Sequence, residues 1–269
     1  MTDDILINEK YERLKAYLKD LGNVAIAFSG GVDSTFLLKT AHNILKDKAV
    51  AVTIKACFFP EREFIKACDF CKKEKIKHLI YELDGLEIDG FSQNTKDRCY
   101  ICKKKFLSEI KVLAYNNNIK YIAEGSNTDD ESDYRPGLCA VKELEIKSPL
   151  RYAKLNKKEI RKLSEKLGLD TWKKQSLACL ASRFMYGETI TMEKLNMVDK
   201  AEQLLFDKGF HQARVRIHDK MARIEVMPNE FQKLIDIRNI ILYKLREFGF
   251  TYISMDLEGY RTGSMNETL

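Results

Sequence analysis

The sequence predicts an α/β protein: a doubly wound parallel sheet over residues 1–185, then a smaller α+β domain over 186–269. Three observations carry this. Short apolar runs alternate with amphipathic stretches through the first half, the rhythm of parallel strands joined by right-handed crossover helices. A Gly-Gly turn follows the first apolar run directly and opens a helix-forming stretch. Past about residue 190 the alternation gives way to a helix, a hairpin pattern, a long helix and a last strand.

The elements follow in order. Residues 6–20 place Ile7, Tyr11, Leu14 and Leu18 on one helical face. The run 23–28 (NVAIAF) is apolar from Val24 on, as a strand covered on both sides must be. A helix over 32–44, a strand over 49–54, a helix over 61–76 and a strand over 78–82 come next. A helix over 100–115 and a strand over 121–123 close the first pattern. Residues 125–150 and 171–190 read as irregular, and connections of that length in a compact protein usually carry function. In the second part a helix spans 192–208, and 213–218 with 221–226 form a hairpin around Asp219-Lys220. A helix over 229–247 and a strand over 250–255 end the chain.

Composition sets the bounds. Of 269 residues, 45% are hydrophobic and 32% charged, which excludes wholesale disorder. No apolar run reaches the roughly 20 residues of a membrane span. The opening MTDDILINEK lacks the pattern of a secretory signal, so a cytoplasmic, soluble protein is expected. The formal charge is +6, with basic residues spread along helices such as 153–166 rather than gathered in a tail. That excess suits phosphorylated small molecules and is too weak to indicate a nucleic acid.

Ser29-Gly30-Gly31-Val32-Asp33-Ser34 joins the first strand to its helix. Glycines let backbone approach an anion, and a helix N-terminus turns N–H groups and a positive dipole end toward it. Ser29 and Ser34 add hydroxyls. Neither a Gly-Lys-Ser/Thr loop nor a GxGxxG fingerprint is present.

Seven cysteines, at 57, 68, 71, 99, 102, 139 and 179, do not form a disulfide framework in a chain of this kind. Cys99 and Cys102 stand three apart among basic residues, which favour the thiolate. With Cys179 they make a set of three that suits a [4Fe–4S] cluster with one open iron. Cys68 and Cys71 read as packing residues on a helix, with a four-cysteine zinc site from these two, Cys99 and Cys102 as a competitor on spacing alone. Cys57 and Cys139 are read as structural.

SGGVDS resembles the pyrophosphate loop of the ATP pyrophosphatase (PP-loop) superfamily, whose fold is Rossmann-like. Three more segments narrow the likeness: NTDDESDYRPG at 127–137, LACLASRFMYG at 177–187 and DLEGYRTGSMN at 256–266. In this order they resemble the LarE family of ATP-dependent sulfur transferases. The likeness implies ATP held by Ser29, Gly30, Gly31, Asp33 and Ser34, with Asp33 on Mg²⁺. It implies adenylation of a carboxylate of pyridinium-3,5-biscarboxylic acid mononucleotide and its conversion to a thiocarboxylate, in nickel-pincer cofactor biosynthesis. Cys179 matches the reactive cysteine, and Cys99 and Cys102 place the chain with members that carry sulfide on a [4Fe–4S] cluster. Other members sacrifice that one cysteine. A sulfide donor and a homo-oligomer are implied; a membrane or tRNA partner is not expected.

The phosphorylated substrate gives meaning to an alternating strand. Arg214, Arg216 and His218 share one face of 213–218, either as a solvent face or, with Arg183, as a clamp on the substrate phosphate. Glu202 lies in a matching segment without an assigned role. Two competitors remain: a tRNA-thiolating enzyme of the same superfamily, and a zinc-stabilised nucleotide-binding module without catalysis.

Overall fold

The computed structural model describes residues 2–131, 137–175, 178–261 and 264. Parts of NTDDESDYRPG, LACLASRFMYG and DLEGYRTGSMN lie outside the described residues. The chain forms two compact units, one of residues 1–84 and 99–177 and one of 85–98 and 178–269. The boundary expected from sequence is 185/186; in the structure the units part at 177/178, with 85–98 joined to the second.

The first unit is the expected α/β layer. Helix α1 (Thr2–Leu21) precedes strand β1 (Val24–Ala27), helix α2 (Val32–Leu45), strand β2 (Ala49–Lys55), helix α3 (Glu61–Glu74) and strand β3 (His78–Glu82). Helix α4 (Arg98–Asn116) and strand β4 (Tyr121–Ala123) follow. All pairs are parallel, in the order β3-β2-β1-β4. Six of the seven residues of β2 are buried, and of these only Thr53 is polar, its hydroxyl donating to the Phe28 carbonyl. Leu14 and Leu18 of α1 pack with Phe36 and Leu37 of α2 in the buried core. Among the described residues, no helix is long and apolar enough to cross a membrane.

Three local readings change in this unit. The helix expected over 61–76 ends at Glu74, because Lys75 takes a left-handed conformation (φ 56°) and caps it. The helical stretch read over 153–166 is broken at Lys154, also left-handed (φ 58°). It restarts as α7 only after Asn156. The irregular stretch 125–150 contains helices α5 (Gly137–Glu143) and α6 (Pro149–Tyr152). Helix α7 (Lys157–Lys166) opens on a full capping box, in which Asn156 accepts from the Glu159 N–H and the Glu159 carboxylate accepts from the Asn156 N–H. Its buried Ile160 and Leu163 belong to the same core as α1 and α2.

In the second unit, helix α8 (Met192–Asp207) precedes the antiparallel pair β5 (Ala213–His218) and β6 (Met221–Val226). The hairpin turns at Asp219, whose φ is 52°. Strand β7 (Tyr252–Met255) adds in parallel to β6. The single helix expected over 229–247 is two, α9 (Phe231–Asp236) and α10 (Arg238–Glu247), since Ile237 leaves helical geometry at φ −100°, ψ 13°. Segment 85–98 is bonded into this unit. Asn94 Nδ2 donates to the Met185 carbonyl (2.6 Å), and Arg98, fully buried, donates to that of Ala181 (2.8 Å).

Candidate active site

The loop between β1 and α2 is tied to itself by hydroxyls. Ser29 Oγ and Ser34 Oγ lie 3.1 Å apart, and Ser34 Oγ donates to the Gly31 carbonyl at 3.3 Å. Gly30 is left-handed (φ 69°), and a Cβ there would stand 3.3 Å from that of Ala67, so position and conformation both demand glycine. Opposite, Gly125 sits against the start of α2, where a Cβ would come within 3.0 Å of the Ser34 nitrogen. The strand end after β4 therefore covers the loop with bare backbone.

Asp33 lies in the first turn of α2. Its Oδ2 is paired with Lys157, the first residue of α7, while Oδ1 is buried without a hydrogen-bond partner among the described residues. Burial pushes its carboxyl above the usual range, against the pull of Lys157. A buried carboxylate oxygen lacking a donor fits a cation ligand, which is the role the resemblance gives it. Lys174 also reaches this loop, donating to the Gly30 carbonyl (2.8 Å) and pairing with Glu63 (2.5 Å). Sequence reading missed both lysines. The Asn156/Glu159 capping box places Lys157 at a helix start, but no local signal says what its ammonium meets.

Cys99 and Cys102 occupy the first turn of α4, Cys99 exposed and Cys102 half-buried. Further along the helix, Phe106 stacks on Phe58 at 5.6 Å and fixes α4 against the end of β2. Lys103 pairs with Glu124 (3.2 Å), a buried carboxylate that also accepts from the hydroxyls of Ser126 and Ser148 (2.7 Å each). Burial opposes its charge, yet Lys103 and the two hydroxyls hold its carboxyl below the usual range. Cys71 is buried, and burial pushes its thiol up to about 12, so it stays protonated as a packing group. Cys68 is half-buried beside it, Cys57 is half-buried and Cys139 exposed. Among the described residues, no three His, Cys, Asp or Glu side chains gather as a metal site.

In the second unit Cys179 is half-buried and caps the turn Leu180–Arg183. Its carbonyl accepts from Ser182 Oγ (2.8 Å) and from Arg183 (3.2 Å). Arg183 is 2% exposed and meets Glu202, 0% exposed, through two parallel bonds of 2.7 and 3.0 Å. Glu202 Oε1 also accepts from the Val215 N–H (3.1 Å), which ties α8 to β5. Arg216 repeats the arrangement with Glu225 (2.9 and 3.0 Å) and adds bonds to the Ser182 carbonyl and Ser264 Oγ. Arg214 lies over the Tyr260 ring (5.3 Å to the centroid) and donates to the Ala213 carbonyl. Burial, then the charge of Arg183, lower its pKa.

The alternating face of β5 is thus no solvent face: Arg214 and Arg216 are 5% and 8% exposed. His218, half-buried at its end, lies 2.9 Å from the Met185 sulfur. Arg223 also bonds Glu225 (3.2 Å) and pairs with Asp256 (3.4 Å), which Arg261 reaches as well (3.3 Å). Glu202→Ala is expected to cost about 3–5 kcal/mol, because it strands the Arg183 charge in the interior. A urea midpoint unchanged from the parent would contradict this account of the pair.

Strand, glycine loop and helix define the class: an α/β protein with a parallel sheet and an anion-cradle type of loop at its first strand-to-helix junction. No family model matches the chain. It is 37% identical over 267 residues to an uncharacterised protein of Synechocystis sp., covering 98% of this chain and 99% of that one. It is 38% identical over 261 residues to the pyridinium-3,5-bisthiocarboxylic acid mononucleotide synthase of Lactiplantibacillus plantarum, covering 97% and 95%. A more distant relative, at 26% identity over 220 residues (76% and 68%), is a subunit of the glutamine-hydrolysing GMP synthase of Thermoplasma acidophilum. The chain belongs to the family of the pyridinium-3,5-bisthiocarboxylic acid mononucleotide synthase, the LarE sulfur transferases.

Proposed function

We propose that the protein adenylates a carboxylate of pyridinium-3,5-biscarboxylic acid mononucleotide with ATP and converts it to a thiocarboxylate, in nickel-pincer cofactor biosynthesis. The observation that carries this reading is the nearly full-length likeness to the named synthase. The carboxylate oxygen attacks the α-phosphorus of ATP and pyrophosphate leaves; sulfur then attacks the acyl carbon and AMP leaves with the anhydride oxygen. A carboxylate is a poor electrophile, and the mixed anhydride supplies the leaving group. Ser29, Gly30, Gly31 and Ser34 would hold the phosphates, and Asp33 would hold Mg²⁺, which would neutralise charge on them. A cytoplasmic homo-oligomer served by a sulfide donor belongs to the same reading.

Arg183, Arg214 and Arg216 form the site for the substrate phosphate. The burial of all three, near enough for the charge of Arg183 to lower the Arg214 pKa, supports it. Arg214→Ala is expected to weaken substrate binding by about 10- to 100-fold, the cost of a charge-assisted hydrogen bond of ~1.5–3 kcal/mol, with ATP affinity kept. Titration of the variant with each ligand checks this; equal loss for ATP would move Arg214 to the other pocket.

The sulfur has two candidate sources. Held by Cys99, Cys102 and Cys179, a [4Fe–4S] cluster would supply bound sulfide at its open iron. The donor chemistry supports it, since none of the three thiols is sealed as Cys71 is. The second is Cys179 itself, which matches the reactive cysteine that other members of the family sacrifice. In that case its thiolate displaces AMP, its Cα proton is removed, the Cβ–S bond breaks, and dehydroalanine remains.

The function is tested by mixing protein, ATP, Mg²⁺ and the pyridinium mononucleotide. Release of AMP and pyrophosphate, with oxygen replaced by sulfur in the product, is expected. ADP formation would sink the reading. Pyrophosphate release that needs tRNA in place of the pyridinium compound would transfer the protein to the tRNA-thiolating branch.

A further inference from the structure

The SGGVDS loop has no lysine of its own, whereas a Gly-Lys-Ser/Thr loop uses its lysine on the outer phosphates. A triphosphate brings several negative charges, and a helix N-terminus answers with about half a positive charge. Asp33 subtracts a further one. The compensating cations must come from elsewhere in the chain, and two lysines distant in sequence reach the loop.

They are held differently. Lys174 is matched by Glu63 (2.5 Å), and its bond to the Gly30 carbonyl (2.8 Å) steadies the left-handed glycine. It shapes the loop with its charge already answered. Lys157 is paired with Asp33, the carboxylate that a divalent cation would take. It is 30% exposed, so its ammonium can turn toward a ligand without leaving a sealed interior. The backbone that carries it is fixed: the α7 capping box orders the turn, and the Lys157 N–H donates to Asp129 Oδ2 at 2.9 Å. A flexible stem on a rigid base, next to an anion cradle, is how a lysine serves as a mobile point charge.

We propose that Lys157 is a direct ligand of the nucleotide's phosphate groups, with Asp33 as its counter-ion until a divalent cation takes that carboxylate. The proposal rests on the reading of SGGVDS as the ATP site. It makes α7 a part of the nucleotide site.

Inorganic pyrophosphate without divalent cations is the probe, measured by calorimetry on the full chain. Lys157→Met is expected to weaken binding by about 10- to 100-fold, the loss typical of one charge-assisted hydrogen bond. The same substitution made in Asp33→Asn should cost a similar factor, because a phosphate ligand acts whether or not Asp33 is charged. Lys157→Gln should behave like Lys157→Met, and melting temperatures measured alongside establish that each variant is folded. Equal affinity of Asp33→Asn and the Asp33→Asn/Lys157→Met double variant would overturn the proposal, leaving Lys157 as a counter-ion alone. Parent protein that binds neither pyrophosphate nor ATP would instead remove the nucleotide reading beneath it.

Discussion

Protein purified without oxygen is expected to absorb in the visible, to turn over repeatedly with added sulfide, and to keep an intact thiol at Cys179. Replacing Cys99, Cys102 or Cys179 by Ala should bleach the absorption and reduce sulfur transfer below detection, since two thiolates retain a cluster poorly. Cys68→Ala and Cys71→Ala should leave the colour in place: the Cys71 thiol, pushed up to about 12 by burial, is no thiolate donor at neutral pH. The mass of the peptide carrying Cys179 decides between the two sulfur sources. Loss of the elements of hydrogen sulfide after one turnover, with activity then exhausted, would establish the sacrificial route and overturn the cluster. Zinc bound at Cys99 and Cys102 with no iron would overturn it too.

Asp33→Ala is expected to lower substrate-dependent pyrophosphate release by about 1,000-fold, the effect of removing several kcal/mol of metal-mediated charge stabilisation. Its melting temperature should not fall. Burial raises the Asp33 pKa, so the folded state holds its proton more tightly than the unfolded chain does. Any stability from this group is therefore present at acid pH and is lost as pH rises through the raised value. At neutral pH the ionised side chain is a net cost, only partly offset by Lys157. Turnover at the parent rate would remove Asp33 from the metal.

Residues that act through their neighbours in sequence were legible from sequence. VAIA is apolar because β1 is covered on both faces, and SGGVDS sits at the strand-to-helix junction its glycines and hydroxyls suggest. Helix ends set by a left-handed lysine were not, since Lys75 and Lys154 carry no propensity for that conformation. The arginines of β5 show the larger limit. Alternation places Arg214 and Arg216 on one face, but whether that face meets water or carboxylates depends on Glu202 and Glu225, which the sequence leaves without assigned partners. Lys157 and Asp33 are 124 residues apart, a distance at which only the finished fold brings charges together.

The segment 85–98 imposes a rule on anyone who would take the protein apart. A fragment starting at residue 178 lacks Asn94 and Arg98, so the Met185 and Ala181 carbonyls lose the donors they accept from. A fragment ending at 177 retains a buried arginine whose carbonyl acceptor has been cut away. Neither piece is a domain that a single cut in the gene can release, because the chain runs out of the first unit, into the second and back before it finally leaves. Recombination with a relative must therefore exchange two stretches together, and a swap of the C-terminal third alone would unite halves whose buried donors and acceptors were never matched.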